Sequence, residues 1–130
     1  MVKVEWSGFS KALQLAMKKV VPFTPKQLRR ITVAAVSDAE MKVLNQQYRK
    51  KNKTTDVLTF VYDAHNADIY MSLAVAKRQA KERNVTLMQE CQRLFVHGIS
   101  HAAGMDHHTP SDFEAMRKFE FEVLIQCVTV

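Results

Sequence analysis

Residues Thr86–His107 read TLMQECQRLFVHGISHAAGMDH. Thr86 with Gln89 three residues on is a helix-opening capping pair. Leu87, Cys91, Leu94 and Val96 then lead along the helix into His97 and His101. On a helix, residues four apart lie about 40° from each other and roughly 6 Å along the axis. The two imidazoles therefore project from one face, close enough to share a metal ion. A third ligand needs the chain to turn back, and Gly104 permits this by ending the helix in a left-handed residue. His107, six residues after His101, then approaches from the side. Three imidazoles leave the fourth tetrahedral position open, as in a catalytic rather than a structural zinc site.

A single histidine on an apolar helix is more often a hydrogen-bonded core residue than a ligand. Three at these spacings, with glycine at the turn, point to a metal. His108 is the alternative third ligand, but the six-residue step with Gly104 midway selects His107. Asp106 has two readings: an acceptor or base beside the metal water, or a turn residue bonding backbone amides. The zinc-protease helix shares this histidine spacing but carries a glutamate after its first histidine as general base. Here that position is Gly98, which counts against peptide hydrolysis. Its missing side chain is expected to leave room beside the metal for a larger substrate.

Outward from this segment, Val2, Val4 and Trp6 suggest a short strand, and Leu13, Ala16, Met17 and Val20 an amphipathic helix that Pro22 stops. Thr24-Pro25-Lys26-Gln27 has the signals of a short second helix. Residues 31–36 are β-branched and apolar, a buried strand. Ser37 with Glu40 opens a helix through Met41, Leu44 and Tyr48, with Tyr48 taken as core. Arg49 to Lys53 reads as a basic loop containing Lys50, Lys51 and Lys53. Strands over 56–62 and 67–71 are close enough to form a hairpin, with His65 a solvent residue of the turn. Ser72 caps the next helix. Ser111 with Glu114 caps the last one, striped by Phe113, Met116, Phe119, Val123 and Leu124. Asp56 and Asp68 read as structural acids. The pattern β-α-β-α-β-β-α-α-α predicts an α+β domain over residues 1–130. Its mixed sheet of about four strands is covered by helices, one of them a zincin-like metal helix.

At 130 residues the chain can bury a continuous core without disulfides, and 47% apolar with 25% charged residues is ordinary for a globular protein. Cys91 and Cys127 are too few for a secreted framework and read as buried reduced thiols. No apolar run approaches the roughly 20 residues of a membrane span, and Met1 to Trp6 is not a signal peptide, so a cytoplasmic location without membrane contact is expected. Nineteen Lys and Arg against thirteen Asp and Glu give a net charge of +6, which favours a polyanionic partner.

These features meet in a family. His97 to His107 is similar to the H-G-x-x-H-x-x-G-x-D-H stretch of the YbeY-type endoribonucleases. Leu44-Asn45-Gln46-Gln47-Tyr48-Arg49, Thr55-Asp56-Val57-Leu58-Thr59-Phe60 and Ala67-Asp68-Ile69-Tyr70-Met71-Ser72 resemble its L-N-x-x-Y-R, T-D-V-L-S-F and G-D-I-x-I-S. The likeness runs from about Val33 to the end. Ala67, Thr59 and Ser100 depart from the family's usual glycine, serine and leucine, and none of them is a ligand. The resemblance implies a zinc-dependent, single-strand-specific endoribonuclease acting in 16S rRNA 3′-end maturation and ribosome quality control. It implies one zinc on His97, His101 and His107, Arg49 as the functional arginine, and single-stranded rRNA, the small subunit and assembly factors as partners. A guanidinium in that place suits two phosphate oxygens at once. Two other readings use the same residues: a metal-dependent hydrolase of another substrate such as a peptide, and a non-catalytic assembly factor whose zinc fixes the fold. The sequence assigns no general base, cleavage position or oligomeric state.

Overall fold

The computed structural model of the chain describes residues 2–50, 55–105 and 109–128. Its elements are β1 (Lys3–Ser7), α1 (Lys11–Lys18), a 3-10 turn (Val21–Phe23), β2 (Arg30–Val36), α2 (Asp38–Arg49), β3 (Val57–Val61), β4 (Asn66–Ser72), α3 (Leu73–Arg83), α4 (Leu87–Ala102) and α5 (Pro110–Val128). The sheet order is β1-β2-β4-β3; β1, β2 and β4 run parallel, and β3 closes one edge antiparallel to β4. This is the α+β mixed sheet of four strands that the sequence predicts.

Local chemistry sets most boundaries. Ser37 and Glu40 bond each other's backbone amides at the start of α2, and Thr86 and Gln89 do the same for α4. Ser72 ends β4 and caps α3 through the Val75 amide. The β3–β4 hairpin is turned by Asp63, whose carboxylate accepts from the amides of His65 and Asn66 at 2.7 and 2.9 Å.

Helix α4 lies at the centre of the molecule. Cys91, Leu94, Phe95, Val96 and Ile99 are all at most 1% exposed, and the helix touches α1, α3, α5 and both strands of the hairpin. It lies on the sheet face made by Ala67, Ile69 and Met71, with Ile31 and Val33 from β2. A Cβ at Gly98 would stand 3.0 Å from two carbons of Ile69, so the helix backbone rests directly on β4 there. Gly98 thus serves helix–sheet packing and does not open space beside the histidines, which corrects the expectation placed on it.

Three further expectations change. No helix forms at Thr24 to Gln27: the Thr24 amide closes the 3-10 turn on Val21, and Leu28, only 2% exposed, is drawn into the core after a single turn on Pro25. The last helix is capped by Thr109, whose Oγ1 accepts from the Asp112 amide at 3.1 Å. Pro110 thereby takes the first helical position, where its missing N–H costs nothing. Tyr48 is 59% exposed rather than core, because at the end of α2 it packs on Phe60 of the edge strand β3, while the helix buries Met41 and Asn45 nearer its middle.

Candidate metal centre and its cleft

The last turns of α4 project His97 and His101 from one face. Their rings meet edge to face with centroids 4.6 Å apart, and their Nε2 atoms stand 3.1 Å from each other. Two nitrogens on one tetrahedral zinc, each about 2.05 Å from the ion, are separated by about 3.3 Å. At 3.1 Å one imidazole can donate its Nε2 proton to the other, and the same separation places both nitrogens at the spacing of two ligands on one ion, so the pair fits a shared metal ion once that proton is displaced.

The tautomer of His97 is set from behind. Its Nδ1 lies 2.5 Å from Oε1 of Glu120 on α5. The ring donates this proton to the carboxylate, which leaves Nε2 as the lone-pair nitrogen and makes it the better ligand. Sequence reading missed Glu120, although a signal was available. Met116, Val123 and Cys127 are buried on α5, and Glu120 occupies the same stripe, four residues after Met116 and three before Val123. A carboxylate at a core-facing position requires a partner.

The helix ends as Gly104 predicts. Its φ is +87°, with no atom of the described residues near an added Cβ, so glycine is needed there for conformation. The Gly104 amide donates to the His101 carbonyl at 3.0 Å and the Met105 amide to that of Ser100 at 2.9 Å. That pair of bonds satisfies two terminal carbonyls and turns the chain. Ser100, fully buried, donates to the His97 carbonyl at 2.6 Å, which accommodates a polar residue inside the core. Asp106, His107 and His108 lie outside the described residues. Among the described residues, no group of three His, Cys, Asp or Glu is placed to hold a metal ion.

In front of the histidines lies a cleft of about 500 Å³, walled by Arg49, the segment from Thr55 to Thr59, Val61, Gly104 and Met105. Arg49 is the last residue of α2, not part of a loop, and left-handed Lys50 caps that helix. Residues 51–54, with Lys51 and Lys53, lie outside the described residues. Asp56 accepts from the Val57 amide at 2.7 Å and from Gln79 at 3.3 Å, the structural role expected of it. Asp68 accepts from the hydroxyls of Tyr62 and Tyr70. Thr59 donates to the Gly98 carbonyl at 3.3 Å, tying the edge strand to α4. His65 is exposed in its turn, with Nδ1 2.7 Å from the Gln27 carbonyl oxygen. Cys91 and Cys127 are both free and buried, and burial pushes the Cys91 thiol up to about 11. No described helix is long and apolar enough to cross a membrane.

The family model described as Endoribonuclease YbeY matches residues 2–127, so the likeness extends through the N-terminal third as well. The chain is 40% identical over 100 residues to the endoribonuclease YbeY of Delftia acidovorans, covering 74% of this chain and 66% of that protein. It is 34% identical over 129 residues to that of Methylibium petroleiphilum, covering 95% and 87%. The chain thus spans just under two thirds of the length of the Delftia relative. The solution structure of TM1509 from Thermotoga maritima superposes with a TM-score of 0.60 at 29% identity, over 98% of this chain and 93% of that one.

Proposed function

The chain belongs to the endoribonuclease YbeY family, and from that membership we propose that it is a zinc-dependent endoribonuclease that cleaves single-stranded RNA in the cleft before α4. The observation that carries the proposal is the convergence of the His97 and His101 Nε2 atoms, 3.1 Å apart, in a cleft that Arg49 also lines. His97, His101 and His107 would hold one zinc ion. When bound, that ion supplies Lewis acidity and a water whose pKa falls to about 7.

The protein's own groups do the rest. Glu120 keeps the His97 proton on Nδ1 and its Nε2 directed at the ion. Arg49 offers two N–H groups to the scissile phosphate and neutralises the charge that grows on it as the phosphorus becomes five-coordinate. Gly98 supports RNA over peptide as substrate: a glutamate there would run into Ile69, so the zinc-protease base has no place to stand. We place this work in 16S rRNA 3′-end maturation and ribosome quality control, in the cytoplasm and on the small subunit with its assembly factors, a reading that the family's role in rRNA processing supports.

The test is cleavage of a single-stranded rRNA fragment by the wild-type protein, His101→Ala and Arg49→Glu, with zinc content measured on each. Loss of about 10³-fold, ~4 kcal/mol in the barrier, is expected for both variants, with zinc lost only from His101→Ala. Undiminished cleavage by the two variants would sink the assigned site.

A further inference from the structure

Strand β3 divides its side chains between two faces. Thr59 faces α4, and the pairing partners of Val57, Thr59 and Val61 are the buried Met71, Ile69 and Ala67. Phe60 and Tyr62 alternate to the opposite face. There Phe60 meets Tyr48 of α2 with centroids 3.9 Å apart and Tyr70 of β4 at 5.7 Å. The Tyr62 hydroxyl donates to Asp68, which holds its ring on the same face. Tyr48 and Tyr62 remain 59% and 66% exposed.

Leaving two large rings in water has no packing benefit, yet both are fixed in place by neighbours. Tyr48 directly precedes Arg49, and a step of one helical residue, about 100°, sends one side chain to the ring row and the other to the cleft. The rings therefore begin where the cleft ends, across the edge strand, with the Arg49 cation at the border. Exposed aromatics beside cations suit single-stranded nucleic acid, since every base has a face to stack and a phosphate to neutralise.

We propose that Tyr48, Phe60 and Tyr62 form a stacking platform for nucleobases flanking the phosphate held at Arg49. The proposal rests on the RNA reading of the cleft and adds to it where the strand runs. A structured protein segment is the competing occupant, and it is separated by the test.

Binding is read apart from cleavage, by fluorescence anisotropy with a labelled single-stranded RNA 12-mer and the wild-type protein, Tyr48→Ala, Tyr48→Phe and Tyr62→Ala. Tyr48→Ala should weaken binding about tenfold and Tyr62→Ala about threefold, while Tyr48→Phe stays within about twofold, because the ring and not the hydroxyl stacks. On a 12-mer whose central nucleotides are abasic, wild type and Tyr48→Ala should bind alike. Equal affinity of wild type and Tyr48→Ala for the normal 12-mer overturns the platform and leaves the face to a protein. An equal loss on the abasic strand overturns it as well. A wild-type protein that binds in this Tyr48-dependent way but cleaves nothing leaves the platform standing and removes the catalytic reading.

Discussion

The two halves of α4 each engage a carboxylate away from bulk water, to opposite ends. In the first half Glu90 is fully buried, with Arg93 at 2.5 and 3.1 Å and Arg83 at 3.4 Å. Both carboxylate oxygens face guanidinium groups, and Arg93 continues to Gln79 and so to Asp56. Glu90 itself lines neither the cleft before the histidines nor the separate groove that Arg83 and Arg93 border. In the second half Glu120 bonds one nitrogen of His97, and the ring's other nitrogen faces His101 in the cleft. A guanidinium consumes the charge of its carboxylate, whereas an imidazole passes it through to a second atom. The partner, more than the burial, separates a structural acid from one that serves a site.

Removing Glu90 should break the first half most. Glu90→Ala leaves Arg93 without its main partner, but that side chain is 27% exposed and Arg83 53%, so both can turn to water. The cost should be about 2–3 kcal/mol, below the full penalty for an orphaned buried charge. Urea denaturation measures it. Cleavage by the variant under folding conditions should stay within about twofold of wild type, and a large fall in activity without loss of stability would contradict the structural role.

The second half should respond the other way. Glu120→Gln keeps an oxygen for the His97 Nδ1 proton and removes only the charge. Stability should change little, while zinc affinity falls about tenfold, the low end for loss of a partner behind a metal ligand. Competition against a chelator reads this directly. An unchanged affinity would mean that Glu120 only holds the ring in place.

How much of this was legible in sequence follows the range of the interaction. The capping pairs Ser37–Glu40 and Thr86–Gln89, the hairpin turn at Asp63 and the left-handed Gly104 act within a few residues, so spacing reveals them. Arg49 became a site residue only through the family's L-N-x-x-Y-R stretch. Its place on the cleft depends on α2 packing against an edge strand, which local pattern does not encode. Glu120 needed the knowledge that α5 lies against the end of α4. Tyr48 keeps the helical period of a core residue, but it meets Phe60 on the edge strand and stays 59% exposed. Gly98 was read from its distance to the histidines, when its neighbour is Ile69 on a strand some thirty residues earlier.

Gly104 offers the finest distinction between the packed half and the presenting end. Gly98 is glycine because Ile69 occupies the space of a Cβ, whereas a Cβ on Gly104 would meet no atom of the described residues and its φ is +87°. Gly104→Ala should therefore cost about 1 kcal/mol, the price of a left-handed non-glycine residue. No change in a neighbouring side chain should relieve it. Gly104→Asn should recover part of the loss, because asparagine enters the left-handed region more readily than alanine. Zinc affinity is the second measurement. If the turn carries His107 back to the ion, alanine should weaken zinc binding beyond its effect on stability, and asparagine should restore both together. If zinc affinity is indifferent to residue 104 while stability falls, the turn serves only the helix end and the third ligand is positioned by other residues.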